Sequence, residues 1–169
     1  MRTILFICTA NIARSPLAEY AFQKALAGRG VTSVLAESAG TMARDGVPAA
    51  SMSVKEGARR GLDISHHRSR LLTRAMVEEA EMVLVMERHQ YLHTLALAPG
   101  ASEKTFMLAS FIPGRDDDEI ADPYGGDDDF FRRALDDIVA AVEALAGKVV
   151  ENLICPPWQV GLPQSGEGV

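Results

Sequence analysis

Cys8, Arg14 and Ser15 follow a short apolar run at the start of the sequence. A thiol, five intervening residues, then Arg and Ser, in a loop between a strand and a helix, can cradle a tetrahedral oxyanion. The residues Thr9, Ala10, Asn11, Ile12, Ala13, Arg14 and Ser15 would turn successive backbone N–H groups onto the anion. The helix N-terminus adds the positive end of its dipole. Arg14 supplies a planar fork able to hold two phosphate oxygens at once. The same field favours a thiolate at Cys8, the reactive form, and Ser15 can donate its hydroxyl to that sulfur. Attack on phosphorus would give a phosphocysteine and divide a hydrolysis into two easier steps. That the thiol is an ordinary small buried residue is the alternative; the agreement of strand, loop and helix signals weighs against it.

Those signals come from the flanking elements. Arg2 to Cys8 is continuously apolar after Thr3, the pattern of a strand covered on both faces. Ser15 reads as an N-cap and Pro16 as a first helical residue, with Gly28 and Gly30 ending the helix. A second strand is expected near Ser33 to Ser38, a helix from Ala49 to Gly61, and another from Thr73. Met82 to Met86 is a third buried strand, Arg88 to Ala98 a helix, and Thr105 to Leu108 a fourth strand. The last helix is marked by Phe131, Leu135, Ile138, Val142, Leu145 and Val149 at three- and four-residue spacing. Strands alternating with helices predict an α/β fold: a single-domain three-layer sandwich, a four-stranded parallel sheet with helices on both faces. Ligands in such sheets bind beyond the carboxyl ends of the strands, where Cys8 falls. The predicted domain is 1–154, and 155–169 reads as a Pro- and Gly-rich, poorly ordered tail.

Composition limits the partners. In 169 residues, 17 Lys plus Arg against 23 Asp plus Glu give a formal charge of -6, unsuited to nucleic acid or to an anionic membrane. Two cysteines, Cys8 and Cys155, make no disulfide framework, and the early apolar run is too short to span a membrane. A cytoplasmic protein without membrane insertion is expected. His89 and His93 lie four apart, but Gln90 stands where a metalloprotease helix needs Glu, so surface histidines are the reading. Asp116 to Glu119 and Asp127 to Asp129 lack the spacing of a calcium loop. No metal and no cofactor are expected, since a cysteine mechanism needs neither.

The run Cys8-Thr9-Ala10-Asn11-Ile12-Ala13-Arg14-Ser15-Pro16 resembles the signature of the low-molecular-weight protein tyrosine phosphatases. The resemblance extends to Ser38-Ala39-Gly40-Thr41, to Gly61-Leu62-Asp63-Ile64-Ser65-His66 and to Asp122-Pro123-Tyr124-Gly125, covering roughly 1–150. It implies a phosphatase acting on phosphotyrosine-containing protein, with Cys8 as nucleophile and Arg14 as phosphate clamp. It makes Asp122 the general acid that protonates the leaving oxygen and then activates water. By the same resemblance Asn11 braces the loop through Ser38 and the His66 region, Ser15 assists the thiolate, and Tyr124 stacks on the substrate ring.

Three residues depart from that pattern. Ala10 replaces a usual Gly, which predicts strain if its φ is positive. Ala13 replaces a usual second cysteine, so peroxide oxidation of Cys8 should be poorly reversed by a mild thiol. Arg44 stands near the place of an aromatic pocket wall, and completes a predicted substrate pocket with Ile12 and Tyr124. The nearest rival is a protein arginine phosphatase of the same fold, which typically carries Thr at the position of Ile12; the bulkier apolar Ile favours a flat tyrosyl ring. A thioredoxin-type arsenate reductase would need further cysteines, and none lies between Cys8 and Cys155. A non-catalytic phosphate-binding module would have no use for Cys8, Arg14 and Asp122 together.

Overall fold

The first apolar run forms β1 (Arg2–Cys8), buried from Ile4 onward as its continuous apolarity requires. The structure, a computed structural model, describes residues 1–154. The segment 155–169, expected to be a poorly ordered tail, lies outside the described residues. β2 (Val34–Gly40), β3 (Met82–Val85) and β4 (Thr105–Met107) complete a four-stranded sheet. All pairings are parallel, in the order β2-β1-β3-β4. The helices are α1 (Arg14–Ala27), α2 (Ser51–Arg59), α3 (Arg74–Glu79), α4 (Arg88–Leu97) and α5 (Asp128–Ile154).

Alternation along β1 divides the core in two. Ile4, Phe6 and Cys8 share one layer with residues of α1 and α5, and Phe6 meets Phe22 edge to face at 5.5 Å. Leu5 and Ile7 point into the other layer, with Val77 of α3 and Tyr91 and Leu95 of α4. Each fully buried side chain of this size stabilises the fold by about 1.5–3 kcal/mol. The three-layer α/β sandwich expected from the pattern is the fold observed. On α2, Glu56 is 2% exposed and forms ion pairs with Arg59, Arg60 and Arg132, tying α2 to α5.

The chain runs from β1 to β2 on one side and later returns to β3 on the other. Connections therefore diverge at the carboxyl ends of β1 and β3, where a crevice opens. Element ends differ from expectation in informative ways. β2 continues past Ser38 to Gly40, because Gly40 still pairs with Cys8 and its N–H donates to the Arg70 carbonyl. α2 is shorter than the expected 49–61 at both ends. α1 begins at Arg14, so Ser15 lies within its first turn rather than capping it. No helix among the described residues is long and apolar enough to cross a membrane.

Candidate active site

Cys8 ends β1 with 2% exposure, and the chain turns through 9–13 before α1 starts at Arg14. No side chain caps α1, so its opening N–H groups face back into the loop. The turn depends on Asn11, whose φ of 55° is the one positive value at a non-glycine residue among the described residues. Asn enters this region more readily than other side chains. The strain expected at Ala10 is thus located one residue later.

Asn11 is fully buried and its whole amide is used. Its Oδ1 accepts from the Arg70 N–H at 2.8 Å. Its Nδ2 donates to Ser15 Oγ at 2.8 Å and to Ser38 Oγ at 2.9 Å. Since Ser15 Oγ accepts from Asn11, its own proton is free to point at Cys8 Sγ, 3.0 Å away. The Asn11 N–H also donates to that sulfur, at 3.2 Å. Two donors therefore converge on Cys8, an arrangement that stabilises a sulfur anion. Ser38 passes its proton outward to Glu19. Burial raises the Glu19 pKa, opposed by the Ser38 hydrogen bond and by the charge of Arg70.

Glycine is required where β2 reaches the loop. A Cβ at Gly40 would lie 2.5 Å from the Thr9 carbonyl and 2.9 Å from the Asn11 nitrogen. The backbone of 41–42 then bonds back to the loop, with the Thr41 N–H on the Cys8 carbonyl and the Met42 N–H on that of Thr9.

Arg14 is 2% exposed and its guanidinium is held from two sides. Nη1 pairs with Glu87 and donates to the Ile120 carbonyl at 2.8 Å, while Nη2 lies 3.3 Å from Asp122 Oδ2. Asp122 remains 47% exposed, and its Oδ1 accepts from the Tyr124 N–H at 3.0 Å across Pro123. The acid, the clamp and the thiol thus share one cleft of about 270 Å³, lined by Cys8, Ala10, Ile12, Ala13, Arg14, Ala50, Asp122, Tyr124 and Phe131. This constellation can hold a tetrahedral anion, attack it through sulfur and supply a proton from the open side.

Two predicted positions lie elsewhere. Arg44 is exposed and does not line the cleft; Ala50, whose N–H donates to the Ile12 carbonyl at 2.7 Å, stands there instead. His66 is exposed, and it is His67 that reaches the loop, its Nε2 donating to the Asn11 carbonyl at 2.8 Å. The Asp63 carboxylate takes the Ser65 N–H in a tight turn, which shifts the in–out alternation by one residue after Ile64. Burial lowers the His67 pKa, so the imidazole is neutral with its proton on Nε2.

Glu87, Gln90, Ala50 and Phe131 were not foreseen. Gln90 Oε1 accepts from the N–H groups of Met86 and Glu87, and its Nε2 donates to Thr9 Oγ1. Glu87 was findable: it directly follows a buried strand, at the same sheet edge as Cys8. His89 lies 3.4 Å from Glu87, and His93 is exposed.

Comparison with known proteins agrees with this geometry. The sequence model of the low molecular weight phosphotyrosine protein phosphatases matches residues 3–154. A probable low molecular weight protein-tyrosine-phosphatase, EpsP, of Ralstonia nicotianae is 34% identical over 88% of this chain and 97% of its own. A protein-arginine-phosphatase of Geobacillus stearothermophilus is 36% identical over 86% and 95%. The crystal structure of a protein tyrosine phosphatase from Entamoeba histolytica superposes with a TM-score of 0.84 at 29% identity, covering 90% of this chain and 99% of that one.

Proposed function

The chain belongs to the low molecular weight phosphotyrosine protein phosphatase family, and we propose that it hydrolyses phosphotyrosine in proteins through a phosphocysteine on Cys8. The observation that carries this is the convergence of the Ser15 hydroxyl and the Asn11 N–H on a buried thiol beside Arg14.

In the first step the Cys8 sulfur bonds to phosphorus as the bond to the tyrosyl oxygen breaks. Arg14 and the N–H groups of 9–15 take the charge on the equatorial oxygens. Asp122 delivers its proton to the departing oxygen from the exposed side of the cleft. In the second step Asp122 takes a proton from water, whose oxygen displaces sulfur and releases phosphate. Asn11, Ser38 and His67 keep the loop in shape, and Glu87 orients Arg14. The catalytic unit is the stretch 1–154, in a reducing cytoplasm that preserves the Cys8 thiol.

Tyrosine is favoured over arginine because Ile12, Ala50, Tyr124 and Phe131 make the walls around the thiol largely apolar. A phenyl ring gains from such walls, whereas a guanidinium loses hydration there. The Asp122-Pro123-Tyr124-Gly125 segment and the arginine-phosphatase relative favour the second reading. Phosphate release from matched phosphotyrosine and phosphoarginine peptides, with wild type and Cys8→Ser and no added metal, separates them. Phosphotyrosine turnover that Cys8→Ser abolishes is expected. Preference for phosphoarginine would move the substrate, and turnover of neither would refute the assignment.

A further inference from the structure

Next to the cleft, the segments 41–48 and 68–72 lie against each other. Gly40 pairs with Leu71, Pro48 with Arg68, and the Leu71 N–H donates to Asp45 at 2.7 Å. The Met42 N–H binds the Thr9 carbonyl at 2.9 Å, so this ledge is bolted to the phosphate loop. It leaves Met42 75% and Leu71 45% exposed, and exposed Ala10 joins it to the cleft. Lone exposed apolar side chains need no explanation, but a group at the lip of a cleft does. The opposite lip is different: Asp127, Asp128 and Asp129 are all exposed where α5 begins. Apolar groups gain nothing among those carboxylates, whereas the ledge continues the apolar lining of the cleft.

We propose that the ledge of Met42 and Leu71 receives apolar residues flanking the phosphorylated residue of the substrate protein. The proposal rests on the phosphatase reading and extends it to substrate choice. The experiment compares kcat/KM for para-nitrophenyl phosphate and for two phosphotyrosine peptides, flanked by leucines or by serines. Wild type should favour the leucine peptide about fivefold, the gain from partly burying one apolar side chain. Met42→Glu and, independently, Leu71→Ser should erase that preference through KM, leaving para-nitrophenyl phosphate turnover unchanged. Equal use of both peptides by wild type, with intact para-nitrophenyl phosphate turnover, overturns the ledge and leaves the phosphatase reading standing. No turnover of para-nitrophenyl phosphate by wild type overturns both. Concentration-dependent sedimentation of wild type that Met42→Glu abolishes would assign the ledge to a second copy of the chain and overturn the proposal.

Discussion

The loop that carries Cys8 and the loop that carries Asp122 meet in one cleft but are built in opposite ways. Around Cys8, the side chains of Asn11, Ser15, Ser38 and His67 are buried and hydrogen-bonded to one another or to backbone. Around Asp122, the stretch from Arg115 to Asp129 is largely exposed. It is held by surface pairs of Arg115 with Asp117 and Asp137 and of Arg88 with Asp118, and by the Ile120 backbone. Buried networks fix geometry before substrate arrives, while exposed pairs contribute little and are screened by salt. The anion-holding half of the site is therefore preformed, and the proton-handling half is cheap to displace.

The sharpest way to break this contrast is Asp122→Asn. Turnover should fall about 10²–10³-fold while calorimetric affinity for inorganic phosphate is kept or improved. Equal loss of both would mean that Asp122 shapes the anion site. Asn11→Ala should give the converse: about a 10²-fold fall in kcat/KM accompanied by weaker phosphate binding and a lower Tm. A variant that loses turnover but binds phosphate normally would contradict the preformed loop. Arg115→Ala loosens only the acid loop and should lower kcat about threefold with KM unchanged; raised salt should imitate it in wild type.

The smallest effect concerns His67. Its folded pKa is lowered by burial, so folding favours the neutral ring. That stability is full above the ordinary value of 6.5 and is lost as pH falls below it toward the folded value. Between about pH 7.5 and 5.5 the Tm should drop by no more than about 2 °C, and His67→Gln should flatten that slope. An unchanged slope would show that other groups carry it.

The sequence exposed the anion-holding half far better than its surroundings. Cys8, Arg14 and Ser15 sit in one short run between two regular elements, so strand and helix patterns placed them. The four strands and the five helices were legible for the same reason, with errors confined to their ends. The misplacements, His66 for His67 and Arg44 for Ala50, both fall in irregular segments. There no period of two or 3.6 says which way a side chain points, and one tight turn at Asp63 moves the phase. Glu87 went unseen because its partner, Arg14, is 73 residues away, a contact that only the sheet order creates.

Arg14 is fastened to the carbonyl of Ile120, 106 residues further along the chain. During synthesis, then, the whole phosphate loop leaves the ribosome long before the group that anchors its clamp. A nascent chain shorter than about 120 residues holds every loop residue yet has an unanchored Arg14. An N-terminal fragment ending before Ile120 should accordingly bind no phosphate in calorimetry, and tight binding by it would refute this order of assembly. A chain arrested midway through translation would carry the chemical groups of a phosphatase without competing for phosphoproteins.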